Sequence, residues 1–197
     1  MEQTLPCILA SASPRRKEII SMLGIRYTVD SSDIEEHTDQ TEPAEIVKDL
    51  ARQKASAVAN RHRNEQCFIL GSDTVVSIDG MILGKPKNRE EAVSMLRRLS
   101  GRTNTVYTGV CILIQNGNHT ESVVFCDSAE VSFMTMSDHE IEWYVDELQP
   151  YDKAGAYAVQ GPGARFISEV RGDFYTVMGL PANELYKKLK ESGLLFV

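Results

Sequence analysis

At 197 residues, with 42% hydrophobic and 25% charged residues, the chain has the make-up of a folded globular protein, which excludes disorder. A net charge of −7 opposes the basic surface of a general nucleic-acid binder, and no apolar run reaches the length of a membrane span. No basic segment followed by an apolar one opens the sequence, so no signal peptide is expected; four widely spaced cysteines, Cys7, Cys67, Cys111 and Cys126, read as buried free thiols of a reducing, cytoplasmic compartment.

In chain order, Cys7-Ile8-Leu9-Ala10 reads as a buried strand that breaks at Ser11. Pro14 sits at the first position of a helix over residues 14–23, closed by Gly24, with Ser13 as the expected N-cap. Arg15, Arg16 and Lys17 then fall in the first turn, where cations oppose the positive end of the helix dipole. Two hydroxyls, two guanidinium groups and backbone N–H groups at one corner point to an anion, above all phosphate; a solvated basic surface is the alternative. Residues 25–30 follow as a second strand and residues 31–42 as an acidic loop.

Pro43 opens a long helix to about residue 62, with Ile46, Val47, Leu50, Ala51, Ala55 and Val58 on one stripe. Lys54 lies close to that stripe, so its ammonium must snorkel outward or meet an anion. Cys67-Phe68-Ile69-Leu70-Gly71 reads as a buried strand ended by Gly71-Ser72-Asp73-Thr74. An acid at a strand's C-terminal end is where α/β sites form, so Asp73 can hold a divalent cation or take a proton from water; a turn aspartate is the alternative. Residues 74–84 form a hairpin around Asp79-Gly80. In Gly84-Lys85-Pro86 the proline pre-aims Lys85, at a phosphate or at solvent.

Residues 89–99 are helical with Ala92, Val93, Leu96 and Leu99 inward, and two strands over residues 103–134 flank Asn116-Gly117-Asn118. Ser137-Asp138-His139-Glu140 is a capping box that opens a helix to about Leu148. Residues 149–164 are irregular and glycine-rich. There the small residues of Asp152-Lys153-Ala154-Gly155-Ala156-Tyr157-Ala158-Val159-Gln160-Gly161 let backbone approach a ligand, and the Gln160 amide can read a base edge. A strand over residues 165–170 and a helix from Pro181 to about Lys190 complete a mixed α/β pattern in one domain, residues 1–197. His37, His62, His119 and His139 fit no zinc pattern.

Taken together, the segments resemble the Maf family of nucleotide pyrophosphatases. The matching pieces run in one order: Leu9-Ala10-Ser11-Ala12-Ser13-Pro14-Arg15-Arg16, Lys54-Ala55, Gly71-Ser72-Asp73-Thr74, Gly84-Lys85-Pro86, Leu99-Ser100-Gly101-Arg102 and Thr108-Gly109-Val110. Asp152-Lys153-Ala154-Gly155-Ala156-Tyr157, Gln160-Gly161 and Val177-Met178-Gly179-Leu180-Pro181 follow. The resemblance implies an α/β fold with an elongated mixed β-sheet flanked by helices and a cleft between two lobes, similar to the inosine triphosphatase (Ham1) architecture. It implies hydrolysis of a nucleoside triphosphate to the monophosphate and pyrophosphate with a divalent metal (Mg, Mn or Co), and the segments at residues 152–161 place the chain on the dTTP and UTP branch.

By the same resemblance Asp73 is the proton acceptor, Arg15, Thr74 and Gln160 set specificity, and Ser11, Arg16, Lys54 and Lys85 contact phosphates. Asp73 and Glu36 are the acidic metal candidates. A homodimer, and no nucleic-acid or membrane partner, follow as well. The alternatives are a pyrophosphatase for 7-methyl-GTP or other modified nucleotides, and a non-enzymatic regulator of septum formation. The chain departs from many relatives at Ser72, where they carry alanine, and near Asn104, where they carry histidine.

Overall fold

The computed structural model describes residues 2–117 and 119–196. Its strands are β1 (Glu2–Gln3), β2 (Cys7–Leu9), β3 (Tyr27–Val29), β4 (Cys67–Ile78), β5 (Met81–Leu83), β6 (Thr103–Asn116), β7 (His119–Phe133), β8 (Ile167–Arg171) and β9 (Leu195–Phe196). Its helices are α1 (Pro14–Met22), α2 (Pro43–Arg61), α3 (Arg89–Leu99), α4 (Asp138–Leu148), α5 (Phe174–Met178) and α6 (Ala182–Glu191). One mixed sheet has the order β3-β2-β4-β6-β7-β8, with β5 paired to β4; β1 and β9 form a separate antiparallel pair. The mixed α/β class expected from the sequence is the class observed.

The chain divides into two compact units. The first holds the chain up to Asp73, Thr108–Asp127 and the chain from Gly179; the second holds Thr74–Tyr107 and Ser128–Met178.

In the first unit β2 pairs in parallel with β3 and β4, Leu9 standing beside Val29 and Leu70. All three residues of β2 are buried, as a central parallel strand requires. Helix α2 covers this sheet with Ala51, Ala55, Val58 and Ala59, which pack with Ile8, Ala10, Cys67, Ile69, Cys111 and Leu113. Burying a side chain the size of Ile69 contributes about 1.5–3 kcal/mol. The alanine spacing of four brings helix and sheet so close that a Cβ on Gly71 would strike the Ala51 carbonyl, and one on Gly109 the Val47 carbonyl. Glycine at these two positions is what lets α2 lie down on β4 and β6.

In the second unit the β4–β5 hairpin turns at Asp79-Gly80, both at positive φ, with Ile78 opposite Met81. That is the turn expected from the sequence. Helices α3 and α4 pack together and obey the capping rules. The Asn88 side chain accepts from the Glu91 N–H, α3 has Glu90 and Glu91 in its first turn and Arg97 and Arg98 in its last, and α4 carries the expected Ser137–Glu140 capping box.

Several expectations are corrected. Strand β4 does not end at Gly71 but runs on to Ile78, so Asp73 is mid-strand. The glycine there admits the close approach of α2. Ser13 stands at the N-cap of α1, but its side chain makes no capping bond. Instead its N–H donates to Ser11 Oγ at 3.3 Å. The second strand is only Tyr27–Val29, and residues 165 and 166 belong to a 3₁₀ turn, Gly161–Phe166, ahead of β8. Cys126 is half-buried rather than buried, though all four cysteines are free. The pair β1–β9 and the short α5 carried no recognised signal. Asn118 of the expected turn lies outside the described residues.

Candidate active site

In the first unit the loop from β2 to α1 carries Ser11, and the first turn of α1 carries Arg15 and Arg16. Ser11 is buried, and its Oγ accepts from Arg16 Nη1 at 3.1 Å. Arg16 Nε donates to the Gly179 carbonyl at 2.9 Å, and Ser72 Oγ donates to the same carbonyl at 2.9 Å. The first turn of α1 holds no acid to balance its cations. Enclosure by protein lowers the proton affinity of the Arg16 guanidinium; Asp73 and Glu36 act against this, and Arg15 acts with it. Arg16 is therefore aimed by Ser11 and Gly179 and lies within the field of the two acids.

Those acids meet on one cation. Lys54, on the buried face of α2 and only 9% exposed, places Nζ 2.6 Å from Asp73 Oδ1 and 3.0 Å from Glu36 Oε1. The choice left open for Lys54, to snorkel or to meet an anion, is settled in favour of the anion. Helix α2 carries Lys54, β4 carries Asp73 and the loop before α2 carries Glu36. The close approach at Gly71, two residues before Asp73, brings the first two together.

Asp73 and Glu36 were also the metal candidates. Among the described residues no group of three His, Cys, Asp or Glu side chains is placed to hold a metal ion. A pair of carboxylates converging on one cationic centre offers the hard oxygen donors that suit a divalent ion, with further ligands needed from outside the protein. It does not fit a cation held by protein alone.

The second unit holds Thr74, Lys85 and Gln160. Thr74 follows Asp73 on β4 and is half-buried. Lys85 is exposed, just past β5. Gln160 is half-buried at the start of the 3₁₀ turn Gly161–Phe166. Among the described residues neither the Lys85 ammonium nor the Gln160 amide has a hydrogen-bond or ion-pair partner, so both keep their donors for a ligand. The Gly155 N–H donates to the Gly84 carbonyl at 3.0 Å, tying the loop that carries Gln160 to the residue before Lys85.

Sequence reasoning assigned no role to Gly179, whose carbonyl receives both Arg16 and Ser72. Its signal was its place in the Val177–Pro181 segment, since no side chain marks it. Nor did it assign one to the Asp30–Arg61–His62 cluster, in which Arg61 donates to Asp30 at 2.6 and 2.9 Å and His62 Nε2 lies 2.9 Å from Asp30. This cluster ties the end of α2 to the start of the loop that bears Glu36.

Residues 6–192 match the family model described as Maf-like protein. A dTTP/UTP pyrophosphatase of Lachnoclostridium phytofermentans is 44% identical over 188 residues, 95% of each chain. One of Bacillus velezensis is 46% identical over 188 residues, 95% of this chain and 96% of the relative. Among solved structures, the Ham1 protein of Staphylococcus aureus is 16% identical with a TM-score of 0.48, covering 95% of this chain and 99% of that one.

Proposed function

We propose that this chain, which belongs to the Maf family, hydrolyses dTTP and UTP to the monophosphate and pyrophosphate. The observation that carries the reading is the buried Lys54 shared by Asp73 and Glu36, in a chain 44–46% identical over nearly its whole length to relatives named for that activity.

The chemistry follows from these groups. A triphosphate brings about four negative charges, and Lys54, Arg15 and Arg16 are the cations of the first unit available to offset them. Arg16, fixed by Ser11 and Gly179, presents its guanidinium in a set direction. Asp73 is the base: it takes a proton from the attacking water as the water oxygen bonds to the α-phosphorus. The bond from that phosphorus to the bridging oxygen breaks, and pyrophosphate leaves with its electron pair. Lys54 holds Asp73 in one orientation until substrate arrives. Asp73 and Glu36 are the residues that would hold a divalent cation, which would supply further charge neutralisation. Thr74 and Gln160 read the pyrimidine, and a base that leaves their polar groups unpaired is rejected. No helix among the described residues is long and apolar enough to cross a membrane. A cytoplasmic setting and a homodimer complete the reading.

Pyrophosphate release from UTP, dTTP, CTP, GTP and 7-methyl-GTP, with Mg²⁺ or Mn²⁺, tests it. Preferred turnover of UTP and dTTP, lost in Asp73→Asn, supports it. Faster turnover of 7-methyl-GTP moves the chain to modified nucleotides, and no turnover at all overturns the enzymatic reading.

A further inference from the structure

The loop that carries Gln160 is held in a way that its composition does not announce. Its residues are small, which alone would leave it pliable. Yet two buried tyrosines hold it, Tyr157 from within the loop and Tyr144 from α4. Tyr157 donates its hydroxyl to Asn104 Oδ1 at 2.9 Å, and Asn104 Nδ2 donates to the Val131 carbonyl at 2.9 Å, so the loop is anchored to β6 and β7. The Tyr157 ring meets Phe133 edge to face, with centroids 4.9 Å apart. On α4, Tyr144 is 1% exposed, and its hydroxyl accepts from the Ala158 N–H at 3.0 Å.

The same Tyr144 hydroxyl packs against Gly163, where a Cβ would collide with it. One hydroxyl thus sets the backbone two residues before Gln160 and three residues after it. Just upstream, Ala156 is held at φ 60°, a conformation that costs a non-glycine residue free energy and persists only where its surroundings over-determine it. Burial raises the proton affinity of both phenols, so they stay protonated at physiological pH.

We propose that Tyr144 and Tyr157 are positioning residues for base recognition: their hydroxyls fix the loop backbone at residues 157–158 and 163 and thereby aim the unpartnered Gln160 amide at the base. This rests on Gln160 reading the base, as proposed above. A hydrogen-bonding amide discriminates only if its donor and acceptor are held to within a few tenths of an ångström, and a glycine-rich loop does not supply that stiffness by itself.

The test is a double-mutant cycle on binding, with α,β-methylene UTP and α,β-methylene GTP as probes and the ratio of their dissociation constants as the readout. A general loss of folding or affinity moves both constants and leaves the ratio alone. The native protein should prefer the uridine analogue. Tyr157→Phe, which keeps the ring and removes one buried hydrogen bond, should lower that preference roughly five- to tenfold. In a Gln160→Ala background the same change should alter the ratio by less than about twofold, because the tyrosine acts through the glutamine. Tyr144→Phe should behave likewise, and it carries the test if Tyr157→Phe does not fold. A preference that survives both tyrosine changes, or a loss that adds in full to that of Gln160→Ala, overturns the positioning role and leaves the base-reading role standing. A native protein with no preference overturns both.

Discussion

The charged corner of the first unit and the Gln160 loop of the second are held by opposite means. In the corner, Lys54 is locked between Asp73 and Glu36, and Arg16 between Ser11 and Gly179. In the loop, neutral buried hydrogen bonds, one accepted by Tyr144 and one donated by Tyr157, do the holding, and neither its Gln160 nor Lys85, beyond β5, has a partner among the described residues. The difference teaches how each region answers a substitution. An ionic cluster is balanced, so removing one charge strands the others. A loop fixed by neutral bonds yields its partnerless side chains at little cost in stability.

The largest effect should come from Asp73→Asn, which keeps the shape and removes the base. Pyrophosphate release should fall on the order of 10²–10⁴-fold, measured as kcat at saturating UTP. A fall of less than tenfold would assign Asp73 to structure alone. Next, Lys54→Met should leave two carboxylates facing each other without a counter-charge. Unfolding free energy in urea should drop by about 3 kcal/mol, at the lower end for a broken buried pair because Glu36 is 40% exposed. Adding Asp73→Leu to Lys54→Met should recover most of that stability and none of the activity.

Gly71→Ala sharpens the geometric side of the comparison. Its Cβ would push on the backbone of α2 at Ala51, and with it on Lys54 one turn along. A destabilisation of about 1–3 kcal/mol is expected, together with a rate loss larger than the stability loss explains at 25 °C. Lys85→Ala tests the other region: stability should stay within about 0.5 kcal/mol of native, while the KM for UTP rises.

The smallest effect concerns pH. Hydrogen bonds donated to Asp30 and Glu65 raise the proton affinity of His62, so folded His62 keeps its proton where an unfolded histidine, near 6.5, has lost it. The stabilisation is complete below pH 6.5 and is lost as pH rises through the folded value. Asp30 runs the other way: Arg61 and His62 lower its pKa, so its contribution is present above 3.8 and lost as pH falls through the folded value. His62→Gln should flatten thermal stability above pH 6.5 by under about 1 kcal/mol, as expected for a partly exposed pair.

Much of the fold was legible because its signals are local. The α2 stripe, the Asp79-Gly80 turn and the Ser137 capping box each lie within a few residues of what they specify, and each stands where expected, save that Ile46 of the stripe is half-buried. The end of β4 lies further on than expected because the run Gly71-Ser72-Asp73-Thr74 lacks the apolar side chains of a buried strand, and the pairing that carries β4 on to Ile78 is made with residues distant in the chain or beyond the turn. The nine site residues expected from the sequence divide between the units, Ser11, Arg15, Arg16, Glu36, Lys54 and Asp73 in the first and Thr74, Lys85 and Gln160 in the second. Tyr144 passed unremarked as a core position of a well-formed helix, since its hydroxyl's partner lies 14 residues away.

Periodicity, caps and turns therefore determined the order and type of the elements, and the ordered set of short segments determined the family, because each depends on residues adjacent in the chain. Tertiary structure alone decided which charges meet. Lys54 and Asp73 are 19 residues apart, and Arg16 and Gly179 are 163. Ion pairs and buried hydrogen bonds at such separations exist only once packing has brought their elements together, here through the alanine face of α2 against Gly71 and Gly109.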